Sequence, residues 1–321
     1  MSTDKAKVRR IGGWKRWTIC QVGRVCADEG AVVLSIPFFK PAPTPELLVR
    51  KLDDLPPAPK VLHTLQRLLR APETSIEKIA EVVTLEPGLS ARVVRMANSA
   101  HFGRGAHVDT IVEAIQRVGI VGVQELVTFA VASQLVGRPL AAYRMEAQSV
   151  WFRAVACAIA AGSLAEHSDL DRSDAYTSGL MHGLGLMAID RYAAKEKRGR
   201  VFESAGYPLD FAPAERAWLN FSHAEAGAAL LELWGFSPAV AAAVRYQMMP
   251  EAAPPEFRQL SMMLATARWA RSLFCVPDEL IPDLPSPIWM EEAGVEIGDF
   301  GWWLSQVRIR YTIACDELRL S

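Results

Sequence analysis

The stretch Thr177-Ser178-Gly179-Leu180-Met181-His182-Gly183-Leu184-Gly185-Leu186-Met187 has the make-up of a metal-site helix that lacks its carboxylate. An imidazole on an apolar helix among small residues is a good setting for a divalent metal ligand. The position after it, where an aspartate would complete such a site, holds Gly183, which can coordinate nothing through a side chain. Packed among Leu180, Met181, Leu184, Leu186 and Met187, His182 is expected to be a buried histidine donating to a carbonyl in preference to a ligand. His223 falls in the first turn of a helix that starts at Ser222, and is expected to be partly exposed where the helix dipole disfavours its charged form. His101 and His107 flank a loop with Gly103 and Gly105 and are expected to be solvated. Other catalytic templates are missing from the sequence: it has no Gly-x-Ser-x-Gly elbow and no Gly-x-x-x-x-Gly-Lys-Ser/Thr phosphate loop. Gly183 and Gly185 follow no strand, so they make no dinucleotide fingerprint.

The elements that must position these groups are helices. Residues 1–44 carry no helical period, close on Pro41-Ala42-Pro43-Thr44-Pro45, and are expected to form an extension of uncertain order that could hold a short strand pair. From 46 to 140 the apolar period predicts short helices: Pro59 to Arg70, one started by the capping box Thr74-x-x-Glu77, Leu89 to Asn98, and one started by Thr110-x-x-Glu113. Gly119 and Gly122 predict a tight corner before an apolar helix from Val123 to Leu135. Asn98 and Ser99 end a helix, and Asn98 is expected to be a left-handed cap. Beyond 146 the predicted helices are longer, Trp151 to Glu166 and Ala175 to Ala194, with Ala and Gly at spacings that permit close packing. Ser222-x-x-Glu225 caps a helix running to Trp234, Ser237-Pro238 starts the next, and helices from Phe257 to Phe274 and Trp302 to Leu318 follow. The tryptophans are expected to be core or interface anchors. The fold class is all-α.

Composition narrows the function. Half of the 321 residues are apolar, enough for a sizeable core, and 35 basic residues balance 36 acidic ones. That balance argues against a phosphate-gripping nucleic-acid binder, although Arg92, Arg95, Arg104 and Arg117 could form a small basic patch. Five scattered cysteines without C-x-x-C spacing suggest a reducing compartment. No apolar run reaches the roughly 18 residues of a membrane span. The expected location is the cytoplasm.

The strings Leu55-Pro56-Pro57-Ala58-Pro59, Glu86-Pro87-Gly88-Leu89, Met96-Ala97-Asn98-Ser99-Ala100-His101-Phe102-Gly103 and Ala114-Ile115-Gln116-Arg117-Val118-Gly119 together resemble the opening half of an HDOD domain. Trp151, Ser178 to Gly185, His223-Ala224-Glu225-Ala226-Gly227 and Leu231-Glu232-Leu233-Trp234-Gly235-Phe236 resemble its second half. HDOD domains are bacterial signalling modules related to the HD phosphohydrolases. The resemblance implies a two-lobed helical domain over 46–275, with an N-terminal lobe at 46–140, a degenerate HD-like lobe at 146–275, and a C-terminal helical extension at 276–321 packed on the latter.

Set against an HD metal site, the ligand positions have changed character. The first family histidine falls near Arg153, the His-Asp pair is His182-Gly183, a frequent lysine is Leu186, and a later histidine pair is Gln247-Met248. His182 and His223 remain as ligand-type residues, too few for a hydrolytic metal centre that needs several His and Asp donors. A salt bridge, with Glu146 or a carboxylate across the cleft, is expected of Arg153 ahead of anion binding. The implied function is a non-catalytic signal-transduction or scaffold protein without cofactor, working through protein partners or a ligand. Asn98, Ser99, His101 and Arg153 are the candidate interaction residues. The rival is a metal-dependent phosphohydrolase with a rearranged site using His182, His223 and carboxylates such as Asp174 or Asp190.

Overall fold

The computed structural model describes residues 17–20, 24–27, 34–35, 42–52, 64, 68, 75–84, 87–98, 107–136, 138–196, 201–205, 210–274 and 284–319. The chain forms two compact units, Met1–Ala42 and Pro43–Ser321. The first holds three short antiparallel strands in the order β1-β2-β3: β1 (Trp17–Cys20), β2 (Arg24–Ala27) and β3 (Leu34–Ser35). Trp17 pairs with Ala27, and Arg24 with Ser35. The expected strand pair thus has a third member.

The second unit is built of helices: α1 (Pro45–Arg50), α2 (Ile76–Thr84), α3 (Pro87–Ala97), α4 (Ile111–Val136), α5 (Ala147–Ala165), α6 (Arg172–Met181), α7 (Leu184–Lys195), α8 (Ala212–Leu219), α9 (His223–Leu233), α10 (Pro238–Tyr246), α11 (Pro255–Phe274), α12 (Pro287–Glu292) and α13 (Phe300–Arg319). Local chemistry sets many of their starts. Thr110 and Glu113 exchange bonds across the first turn of α4, with Thr110 Oγ1 accepting from the Glu113 amide at 3.2 Å and Glu113 accepting from the Thr110 amide at 3.3 Å. Ser222 and Glu225 do the same for α9, and Ser237 Oγ accepts from the Val240 amide at 3.2 Å before Pro238 opens α10. For α2 the capping hydroxyl is Ser75, which accepts from Lys78 at 3.4 Å; Thr74 lies outside the described residues. In α4 the corner falls at Gly119, whose φ of 76° is open to glycine at no steric cost, while Gly122 stays helical.

Helices α2, α3 and α4 pack on one another as one lobe, and α4 also lies against α6 and α5 of the second lobe. In that second lobe α5 packs between α6 and α11, α7 lies on α9, and α10 bridges α9 and α11. The short α1, early in the sequence, lies on α9 and α7, so its packing belongs to the second lobe. At the C-terminus α12 packs on α11 and α13 on α5. Trp303 of α13 is fully buried, its ring 5.3 Å from Phe300, which stands 5.3 Å from Trp269 of α11. Among the described residues only α5 is long and apolar enough to cross a membrane, and 67% of its most apolar window is buried inside the fold.

Candidate functional site

The helix predicted from Ala175 to Ala194 is two helices, and the break falls at the dipeptide of interest. α6 ends at Met181, His182 caps it, and Gly183, with φ −91° and ψ 0°, precedes α7. The break lets α6 address α5, α10 and α11 while α7 addresses α9 and α1. Two glycines make these approaches possible. A Cβ on Gly179 would stand 2.6 Å from the Cys157 carbonyl oxygen of α5, and one on Gly185 would stand 1.8 Å from the His223 carbonyl oxygen of α9. Gly183 has no such need, since the nearest atom to a Cβ there is the tip of Leu186 at 4.0 Å.

His182 is buried, and both its ring nitrogens are engaged. Nδ1 lies 2.6 Å from the Gly179 carbonyl oxygen, and Nε2 lies 2.7 Å from Nη1 of Arg271. A guanidinium can only donate, so Nε2 accepts and Nδ1–H donates to the carbonyl. Burial, followed by the charges of Arg271, Arg268 and Arg153, holds its pKa well below the usual histidine value, against the raising effect of the Gly179 bond. Arg153 comes from α5 and is buried; Arg268 and Arg271 are one turn apart on α11. Burial and the neighbouring Arg271 push the Arg268 guanidinium down to about 10. Arg268 Nη1 donates to the Gln247 carbonyl at 2.7 Å, and the Gln247 side-chain amide donates to the carbonyls of His182 at 3.1 Å and Val244 at 2.9 Å.

His223 corrects its expectation. It is buried, with 5% of its surface exposed, because Glu215 reaches it from α8: one carboxylate oxygen accepts from the His223 amide at 2.7 Å and lies 2.8 Å from Nδ1. The other accepts from the Tyr143 hydroxyl at 2.7 Å. Burial raises the Glu215 pKa, but the His223 charge and these hydrogen bonds outweigh it and hold the group below the ordinary value. The Tyr143 ring is packed between Phe202 at 5.0 Å and Phe211 at 4.9 Å.

The other candidates are dispersed. Asn98 is not a left-handed cap; outside glycine the described residues with positive φ are Arg144 and Asn220. Instead its side chain brackets Val108, donating to the carbonyl at 2.8 Å and accepting from the amide at 3.0 Å, with Arg117 donating to it at 3.3 Å. Ser99 and His101 lie outside the described residues, as does the helix predicted from Pro59 to Arg70 apart from helical Thr64 and Leu68. His107 is exposed, 3.5 Å from Asp109. Asp174 accepts from Ser237 at 3.3 Å and Asp190 from the Ala142 amide at 2.7 Å, each occupied away from His182.

These residues do not fit a metal ion of the HD type. The only ring nitrogen of His182 with a lone pair points at a cation, guanidiniums surround it, and among the described residues no three His, Cys, Asp or Glu gather closely enough to hold an ion. The sequence reading singled out Arg153 and Gln247 here but missed Arg268 and Arg271. Their signal is visible in hindsight: they are three residues apart on one face, and Leu264 and Ala267, each four residues back, turn that face inward.

Comparison with known proteins agrees with this frame. Residues 55–250 match the HDOD domain. An uncharacterized protein of Treponema pallidum (strain Nichols) is 29% identical over 233 residues, spanning 68% of this chain and 42% of its own length. A solved Shewanella amazonensis SB2B protein, provisionally named a phosphohydrolase, is 26% identical with a TM-score of 0.59 and covers 84% of this chain and 97% of its own. An HDOD domain protein of unknown function from Geobacter sulfurreducens gives a TM-score of 0.63 at 19% identity, covering 83% of this chain and 96% of its own. A provisionally named signal transduction protein from Marinobacter aquaeolei VT8 gives 0.63 at 21% identity, covering 82% of this chain and 59% of its own. The chain therefore spans less than two thirds of the length of the Treponema and Marinobacter proteins. With the match running through both helical lobes and across more than half of the sequence, the chain belongs to the HDOD domain family.

Proposed function

We propose that this protein is a non-catalytic signal-transduction or scaffold module of the cytoplasm, working through a protein partner or a bound ligand. The observation that carries the reading is the Arg271–His182 contact at 2.7 Å, in which the surviving imidazole spends its metal-binding lone pair on a guanidinium. A cation in the place of a metal repels the metal and leaves no means of generating hydroxide. The two helical lobes offer surface for partners, and the near-balanced charge disfavours nucleic acid.

The likeness to a provisionally named phosphohydrolase favours one rival, a hydrolase with a rearranged site. Elemental analysis of purified protein, with a phosphodiesterase assay in added manganese or iron, separates the two. Sub-stoichiometric metal and no turnover are expected. Stoichiometric metal together with activity abolished by His182→Ala would sink the proposal. Gly183→Asp is a useful companion, since a Cβ there meets nothing closer than the tip of Leu186 at 4.0 Å. It should fold and still bind no metal, because the arginines remain. Crosslinking and pull-down from the native host would then identify what the scaffold holds.

A further inference from the structure

Between α2 and the first turn of α4 the first lobe holds an open groove of about 790 Å3. Its floor is apolar, made by Ala80 and Val82 of α2 with Ile111 and Val112 of α4, and Val112 is 36% exposed. Glu77 and Glu81 line the same groove; four residues apart on α2, they share a helical face, and both are exposed. Hydrogen bonds to its own amide and to Ser75 hold the Glu77 carboxyl below the ordinary value, so it is charged at neutral pH. On the α4 side the exposed Asp109 adds a carboxylate just ahead of the turn that lines the groove. The head of α4 offers no open amides to offset this charge, because Glu113 accepts from the amides of Asp109 at 3.4 Å and Thr110 at 3.3 Å. Among the described residues, none that lines the groove is basic.

We infer that this groove docks a short basic segment of a partner protein, with one or two aliphatic side chains on the floor and Lys or Arg against Glu77 and Glu81. Charge complementarity selects the occupant. An apolar floor gains from burial whatever aliphatic group covers it, but carboxylates one turn apart on one wall favour cations at matching spacing and repel acidic segments. Size selects a segment over a folded surface. The lining is a handful of side chains, against the roughly 20–30 residues a side of a stable interface between folded subunits. Recognition by a few apolar anchors with flanking charges is the usual mode for a short segment in a groove between helices. The inference rests on the reading that the protein works through a protein partner, and it names the surface used and the chemistry of what is held there.

The test is selection of random dodecapeptides displayed on phage against the full chain, followed by fluorescence anisotropy with the most enriched peptide made synthetically. Enriched sequences should set Lys or Arg around Leu, Ile or Val. The synthetic peptide should bind Glu81→Lys on the order of tenfold more weakly than the parent, and Val112→Ser about fivefold more weakly. Its affinity should also fall as salt rises from about 0.05 to about 0.3 M. Both altered positions are exposed, so both variants should melt with the parent. Glu77→Gln combined with Glu81→Gln removes the charge at constant size and gives the same readout should Glu81→Lys melt early. No enrichment, enrichment of acidic or uncharged peptides, or a peptide held equally by the parent and all variants overturns the groove as a docking site. Self-association in sedimentation runs that Glu81→Lys abolishes would make the occupant a second copy of this chain, which overturns the proposal too. Metal content and turnover of the same protein decide the non-catalytic reading separately, so the two failures are distinguishable.

Discussion

His182 shows how strongly a residue's meaning depends on what meets it. The same imidazole that would ligate a metal beside an aspartate is here a neutral acceptor for Arg271, fixed in one tautomer by the Gly179 carbonyl. Because burial and three arginines depress its pKa far below the ordinary value, the unfolded chain takes up a proton near pH 6.5 that the folded chain refuses. Its stabilising contribution is therefore complete above about pH 6.5 and declines below it, by up to roughly 1.4 kcal/mol per pH unit. Urea unfolding at pH 7.5 and pH 5.5 (about one unit either side of the ordinary value) should show that decline, and His182→Gln should flatten the part due to this residue. A parent protein equally stable at both values would contradict the burial of a neutral histidine.

At the scale of elements, small residues decide which helices can touch. Gly185→Ala drives a methyl group into the backbone of α9, and separation of α7 from α9 should cost about 3 kcal/mol. Gly183→Ala, two residues away in open space, should change stability by only a few tenths of a kcal/mol. Thermal melts of the two variants give the comparison, and equal effects would mean that α7 does not approach α9 as closely as described. The glycine spacing was legible in the sequence, as were the capping boxes at Thr110 and Ser222, because each is a signal carried within four residues. The break between α6 and α7 was not. An apolar run with helical period continues through His182-Gly183, and only the demand that the two halves face different neighbours interrupts it.

For the whole molecule, one ionic network ties distant parts of the helical unit together. Arg310 of α13 donates to both oxygens of Glu166 at 2.7 and 2.9 Å, and Arg172 bridges Glu166 at 2.7 Å to Glu125 of α4 at 2.8 Å. Burial holds the Glu125 pKa above the ordinary carboxylate value, against the lowering pull of Arg172. Since Arg310 and Arg172 remain partly open to solvent, Arg310→Ala should cost only about 1 kcal/mol. The sharper readout is limited proteolysis, where cleavage within α13 should become faster while the remainder stays protected. An unchanged digestion pattern would show that Trp303 and its aromatic neighbours hold the helix alone.

By itself the sequence determined the helical class, the caps at Thr110, Ser222 and Ser237, the family and the missing carboxylate at Gly183, all written in short-range periodicity or in local strings. Tertiary structure alone decided that His182 meets Arg271, 89 residues away, that Glu215 of α8 buries His223 from 8 residues upstream and joins it to Tyr143, 72 residues before Glu215, and that Asn98 brackets Val108. The physical reason is that a side chain's ionisation and hydrogen bonds are set by whatever packing brings to it. Nothing in the local pattern around His182 encodes the arginines that arrive from α5 and α11.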